Sequence, residues 1–364
     1  MVGDAPLQRC DFDALLASTG LGDWAGELRA RDPRFRGASD FRRTKSVFEH
    51  GVRVPSENQS ALDNFVLFDL GAESLLEPVT DARASFRVTR YDPSHMARTH
   101  APGRHQYLVS RHVVEANVII NLPKLKTHRK AGVTCALKNL IGINGNKEFL
   151  PHHRVGGSEA GGDCYPGSSR TKRALEFVLD RENASTSFRT ARVWNEISRY
   201  LAFGLRVRGA DPDVDGAWSG NDTIWRTCLD LNRILIYGRA DGTLADEPQR
   251  RVVHIVDAVV AGQGDGPLAP EPLELGLLLA SESAAAMDWV GALLLGYDPR
   301  RITIAHGVFG SFRWPLASFG PEDIHLRGDL GEGQAETLLD SASLPYTVSY
   351  PPGWQDAAAR PAYR

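Results

Sequence analysis

A chain of 364 residues, 42% hydrophobic and 24% charged with a net charge of -3, has the make-up of a globular protein with room for two domains. That balance offers no global basic field for nucleic acid. No apolar run approaches the roughly 18 residues of a spanning helix, and the N-terminus lacks a signal-peptide pattern, which leaves membrane contact only at the periphery. Cys10, Cys135, Cys164 and Cys228 are dispersed without a C-x-x-C. That argues against an intrinsic iron–sulfur cluster, a zinc ribbon or a disulfide framework, and fits a reducing, cytoplasmic setting.

Gly3-Asp4-Ala5-Pro6-Leu7-Gln8 reads like a ligand-contacting turn at the carboxyl end of a strand, yet only Met1 and Val2 precede it. The readings are a chain short of its first strand, or a disordered start with a chance Gly-Asp. Asp11 to Leu28 has helical apolar spacing interrupted by Gly20 and Gly22, and 29–57 has the dense charge of a surface loop region. Strands are predicted at Phe65–Leu70 and Phe86–Tyr91. His95, His100, His105 and His112 are spaced by neither a helical nor a finger pattern, so a solvated loop is expected from Asp92 to His112.

Val113 to Asn121 reads as a buried parallel strand stopped by Pro123, and 133–141 as a helix ending at Gly142 to Gly145. Residues 170–207 have a helical pattern. The polar knot Trp218 to Arg226 then precedes an apolar helix; Asn221 would cap it, either as a plain cap or, with Thr223 and Arg226, as part of an anion site. Val252–Val260 is strand-like, and 261–267 reads as a glycine-rich loop lining a cleft. Leu275–Ala280 is a second strand, Ser281–Gly296 a helix and Ile302–Ala305 a short strand. From Gly328 onward the composition suggests an extension with little core.

Chemistry concentrates where the strand ending at Asn121 hands over to the next helix. Lys124, Lys126, Arg129, Lys130 and Lys138 surround the single imidazole of His128. Cations at a strand end suit a phosphate or carboxylate. Arg129 and Lys130 fit a solvated face. Lys138 lies inside an apolar helical pattern, where desolvation would lower its pKa and make it a nucleophile or base. His128 is the natural proton shuttle, or else a structural strand-end histidine. His152 and His153 could fold back toward it as a second base or as ligands for nickel, zinc or iron. Asp4 and Asp265 are candidates for opposing walls.

Asn121-Leu122-Pro123-Lys124-Leu125-Lys126-Thr127-His128, followed by Gly132-Val133-Thr134 and Leu137-Lys138-Asn139-Leu140-Ile141-Gly142, resembles the signature of domain-of-unknown-function family 362. The 3–8 turn, the 218–226 knot, Val256 to Leu268, and Met287-Asp288 with Gly296 to Pro299 are similar to its other landmarks. Many members carry ferredoxin-type cysteine clusters, which this chain lacks. A more distant resemblance is to the lactate racemase family, built around a nickel-pincer nucleotide. His128, Gly132, Lys138 and His153 fall close to its spacing; the resemblance implies an acid/base at His128, a cofactor contact at Lys138 and a metal ligand at His153. Asp4 matches an aspartate of that family's phosphate-binding turn, without its arginine.

The reading is therefore an α/β protein of two lobes, a parallel or mixed sheet with flanking helices, lactate-racemase-like. The expected divisions are an N-terminal lobe (1–164), a helical insertion (165–245), a C-terminal lobe (246–327) and an extension (328–364). Its leading expectation is an enzyme using His128 and Lys138 on a small anionic substrate, isomerase-like and open to metal assistance, with Lys124, Lys126, Asp4, Asn221, Arg226 and Asp265 as anion contacts. The alternatives are a redox-associated protein working with an external iron–sulfur or flavin partner, and a non-catalytic anion- or metal-binding protein.

Overall fold

A computed structural model describes residues 1–49, 52–55, 60–81, 85–341 and 346–355. Val2–Asp4 (β1) lies parallel to Ala38–Asp40 (β2), so the 3–8 turn does follow a strand. The helical pattern between them is two helices, Phe12–Ser18 (α1) and Leu21–Arg31 (α2), separated at Gly20 with its φ of 71°. Asp11 starts α1 by accepting from the amides of Asp13 and Ala14. Within the expected surface loop region, Ser46–Glu49 (β3) and Val52–Pro55 (β4) form a hairpin; residues 50, 51 and 56–59 of that region lie outside the described residues.

Phe65–Asp69 (β5) takes the predicted strand, whereas only Phe86–Arg87 (β6) of the second is extended. The histidine tract is not a solvated loop. Asp92 caps Pro93–Thr99 (α3), and His100–Ala101 (β7) turns into Arg104–Ser110 (β8), which pairs with β5. A polar cap ahead of a proline is a helix start, and the alternation His105, Tyr107, Val109 buries one face of β8. Counting histidine as polar hid that alternation.

The single strand expected over 113–121 is a helical turn, Arg111–Val114 (α4), and a short strand, Val118–Asn121 (β9), with Val118 and Ile120 exposed. Lys124–His128 (β10) and Gly132–Thr134 (β11) form an antiparallel pair. The expected helix over 133–141 shrinks to Ala136–Asn139 (α5) followed by a 3-10 turn, because β11 claims its first residues. His153–Arg154 (β12) pairs with β6. Arg170–Asn183 (α6) and Phe188–Val207 (α7) form a helical hairpin, and Ile224–Tyr237 (α8) follows.

Arg251–Asp265 (β13) runs through the stretch read as a loop, and only the turn to Ala269–Ser281 (β14) leaves the ladder. Gly262 serves packing. A Cβ on Gly262 would come 2.8 Å from the Cβ of Lys126 on the neighbouring β10. After Ala284–Leu294 (α9), the segment read as a short strand is the helix Thr303–Gly307 (α10); a brief apolar run does not distinguish the two by periodicity. His325–Gly328 (β15), Gly331–Gln334 (β16) and Ala335–Ser341 (α11) complete the described elements. The extension contributes core after all, since Ala335, Leu339, Val348 and Trp354 are buried in the main cluster; its residues 342–345 and 356–364 lie outside the described residues.

The protein is a mixed α/β fold. Its main sheet, β11–β10–β13–β14 with β9 also on β13, draws β9 to β11 from the N-terminal part and β13 and β14 from the C-terminal part. Leu125, Val133, Val256, Trp289 and Leu293 pack the adjoining core. A second core under β5–β8 gathers Phe68, Leu76 and Tyr107. Helix α8 serves both, with Cys228 and Leu229 in the first and Leu231 and Ile234 in the second. Each fully buried side chain of this kind contributes about 1.5–3 kcal/mol. The α6–α7 hairpin closes over a third, small core of Leu175, Leu205 and Val214.

Candidate functional site

Alternation along β10 divides its residues. Leu125 and Thr127 are fully buried, which leaves Lys124, Lys126 and His128 on the opposite side. Lys124 is neutralised at the surface: it pairs with Asp257 at 2.5 Å and donates to Val260 O at 3.1 Å. Lys126 has no ion pair or hydrogen bond among the described residues, and burial, then Lys124, lowers its pKa.

The turn after β10 orients His128. Its Nδ1 accepts from the backbone amides of Lys130 (3.0 Å) and Ala131 (3.2 Å), so the ring proton sits on Nε2. Burial first, then Lys138 and Lys130, holds its pKa well below the usual range, and the ring is neutral at pH 7. Arg129 and Lys130 are not a solvated face. Arg129 pairs with Asp213 and with Asp265, and Lys130 pairs with Asp215 at 3.2 Å, tying the turn to the segment after α7. Asp265 thus spends its charge on Arg129.

Lys138 sits on α5, a helix too short to hold itself. It is clamped instead. Asp288 of α9 accepts from Leu137 N at 2.9 Å, Asn121 donates to Ala136 O at 2.9 Å, and Asn232 of α8 donates to Leu137 O at 3.0 Å. Asn139 closes the clamp by donating to Asn121 at 2.7 Å. Burial pushes Asp288 up to about 7. Lys138 is buried with no ion pair or hydrogen bond among the described residues, and burial lowers its pKa. The neighbouring Cys228 gives it no counter-charge, because burial raises that thiol to about 12.

The N-terminal turn docks on the end of the same segment. Ala5 N donates to Gly142 O at 2.9 Å, and a Cβ on Gly142 would fall 2.2 Å from the Asp4 carboxylate. Buried Lys147 donates to Ala5 O at 3.0 Å. Burial draws its pKa down to about 8, against the pull of Asp4 and with the push of Lys138. Asp4 is therefore brought to the lysine cluster, where Lys147 faces it.

His152 and His153 part company. His152 donates from Nδ1 to Leu150 O at 2.6 Å, which leaves the lone pair on Nε2. Burial, then Lys130 and Lys138, keeps it neutral, and it interacts electrostatically with His128. His153 lies in the field of Lys130, Asp215 and Arg87 and lines a cleft of about 760 Å³ beneath α7. Its Nδ1 is buried without a partner among the described residues, and burial lowers its pKa to about 3. Among the described residues, no three His, Cys, Asp or Glu side chains are placed to share a metal ion.

Two further candidates are spent elsewhere. Asn221 caps α8, accepting from Thr223 and Ile224 amides at 3.0 Å, and donates to His152 O at 2.9 Å. Arg226 pairs with Asp222, donates to Leu75 O and stacks on Trp225. Conversely, Lys147, Asp288, Asn232 and the clamp role of Asn121 were not singled out from the sequence. A polar residue inside an apolar helix, as Asp288 and Asn232 are, was the available signal.

The site thus offers two unpaired ammonium groups, an imidazole N–H and an imidazole lone pair. Among known proteins, a thylakoid-associated protein of Synechocystis sp. is 24% identical over 194 residues, covering 53% of this chain and 37% of that protein. The chain thus spans little more than a third of that relative's length. No solved structure matches. The model of the family described as a domain of unknown function, DUF362, matches residues 58–293, and the chain belongs to that family.

Proposed function

We propose that this protein is an enzyme that holds a small anionic substrate on Lys126 and Lys138 and moves a proton on it through His128 and His152. One observation carries the reading: two neutral imidazoles present opposite Nε2 states, a donor on His128 and an acceptor on His152, beside the buried ammonium of Lys138, which has no ion pair among the described residues, and half-buried Lys126. Burying an uncompensated cation is costly. A substrate carboxylate or phosphate would supply the missing charge, and its arrival would lift the field that depresses both imidazoles. His152 would then serve as base and His128 as acid, with Asp288 and Asn121 positioning Lys138 through α5. The His128–Lys138 spacing shared with the lactate racemase family supports an isomerase-like reaction. The proposal draws on the protein's own groups, with Lys138 poised for charge stabilisation.

The test is solvent-proton exchange. Wild-type protein in D2O, incubated with a panel of small 2-substituted carboxylates, should place deuterium at the activated carbon of at least one, followed by NMR. His152→Gln and Lys138→Met should each lower that exchange by about 100-fold or more while their melting temperatures stay near wild type. Exchange undiminished in both variants would sink the assignment.

A further inference from the structure

The α6–α7 hairpin carries a charge that the rest of the chain does not. Across residues 170–208 there are nine basic and four acidic side chains, in a protein of net charge -3. All eight arginines of this segment are exposed, whereas Glu196 is its one exposed acid among the described residues. Glu176, Asp180 and Glu182 are turned inward.

Helix α7 adds an apolar surface to that charge. Ala191, Ser198 and Leu205, seven apart, face the small core. On the far side Val193, Ile197, Tyr200, Phe203 and Val207 form an apolar stripe, between 38% and 76% exposed, within which Glu196 lies beside Val193 and Tyr200 and pairs with Arg199 at 3.2 Å. Strand β4 touches α7 but leaves the stripe open. Arg192, Arg199 and Arg206, also seven apart, run along its edge, where Arg199 and Arg206 also border the cleft that holds His153, and exposed Phe177 of α6 lies beneath Arg181. Another exposed apolar face, Val118 and Ile120 of β9 with Ile255 and Leu278, is different. Closed ion pairs, Lys124–Asp257 and Arg251–Glu282, sit around it and leave no net sign.

We propose that the α6–α7 hairpin docks the protein on a bilayer surface containing anionic lipid, with α7 lying flat, its Val193–Val207 stripe at the acyl boundary and its arginines on headgroup phosphates. An apolar stripe flanked by cations is what a helix in the plane of a lipid–water interface requires. Guanidinium groups pair with phosphate in forked geometry while their stems cover apolar surface. Val193, Ile197 and Val207 have no use against nucleic acid, which separates this face from an RNA or DNA surface.

Co-sedimentation with large unilamellar vesicles tests the proposal. The full chain should bind vesicles of phosphatidylcholine mixed with phosphatidylglycerol, bind phosphatidylcholine alone much more weakly, and release as salt rises. Val193→Glu with Val207→Glu, and separately Arg192→Glu with Arg208→Glu, should each weaken binding by roughly tenfold or more. Thermal melts confirm that both variants fold, and all four positions are exposed. Leu278→Glu on the sheet face should bind as wild type. Equal binding to both lipid mixtures, no binding, or insensitivity to either pair would overturn the proposal. So would binding to an oligonucleotide without vesicles, or a soluble dimer dissolved by Val193→Glu.

Discussion

Two pairs of histidines in this molecule, His100 with His105 and His128 with half-buried His152, are opposite in what they leave open. His100 Nε2 lies 3.1 Å from Phe149 O, His105 Nε2 lies 2.9 Å from the Glu77 carboxylate, and the two Nδ1 atoms are 3.3 Å apart. Every ring nitrogen there has a neighbour. His128 and His152 each commit only Nδ1, and to the backbone, while Nε2 has no hydrogen-bond partner among the described residues. The first pair is closed and belongs to the packing of β8 against β6 and the 147–149 turn. The second is open and sits in the field of unpaired lysines. Burial alone does not mark a site; unspent valence in a buried place does.

Acid should give the largest effect and tests the shared half of the comparison. Burial holds His100 at about 3 and His153 at about 3, against 6.5 for a free ring. Both folded-state values lie below the unfolded one, so the stability tied to the neutral rings is complete above about pH 6.5. It is lost as pH falls from there toward about 3, on the order of several kcal/mol in total. Urea midpoints followed against pH should fall through that window. A flat profile from neutrality to pH 4 would mean that these rings are not buried as neutral groups.

Mutation then separates the pairs. His105→Ala removes the ring that contacts both Glu77 and His100, leaves a cavity against Phe86, and should cost about 2–4 kcal/mol in urea unfolding. His152→Ala removes a single hydrogen bond to Leu150 O and should cost about 1 kcal/mol. Equal losses would make His152 structural and erase the distinction.

Anion binding sharpens it further. Inorganic phosphate or a small carboxylate at 100 times its Kd should stabilise the protein by about 2.7 kcal/mol, read as a rise in Tm that is absent in Lys138→Met. In histidine NMR titrations the same anion should move the His152 pKa upward and leave His100 in place. The smallest effect belongs to Lys124. Its pair with Asp257 is about half-exposed, so Lys124→Met should change stability by about 0–1 kcal/mol. The anion response should survive that substitution, because Lys124 is already neutralised.

Much of this was legible along the chain. The succession of strand-like apolar runs and helically spaced segments pointed to an α/β protein. The apolar run into Pro123, the cations after it and Lys138 inside an apolar pattern located the stretch on which β10 and α5 are built. Asn221 as a helix cap was equally local, since a cap depends on the next three residues. Local pattern went wrong where a residue's partner was remote. The glycines of 261–267 resemble a loop in one dimension, but Gly262 is there because β10 passes against it. His105 resembles a polar loop residue until β5 covers it.

What the tertiary structure alone decided is which of these groups face one another and which are spent. Lys147 lies far along the chain from Asp4, and only the docking of Ala5 on Gly142 brings them together. Consecutive side chains on an extended segment leave in opposite directions, so His152 turns to His128 while His153 turns to the cleft under α7. Asp265 and Arg226 carry charges that any sequence reading would count, and Arg129 and Asp222 cancel them in space. Residue type and spacing determine which chemistry a stretch is able to supply. Whether a given charge or lone pair remains available depends on partners brought in from elsewhere in the chain, and that is a property of the packed fold.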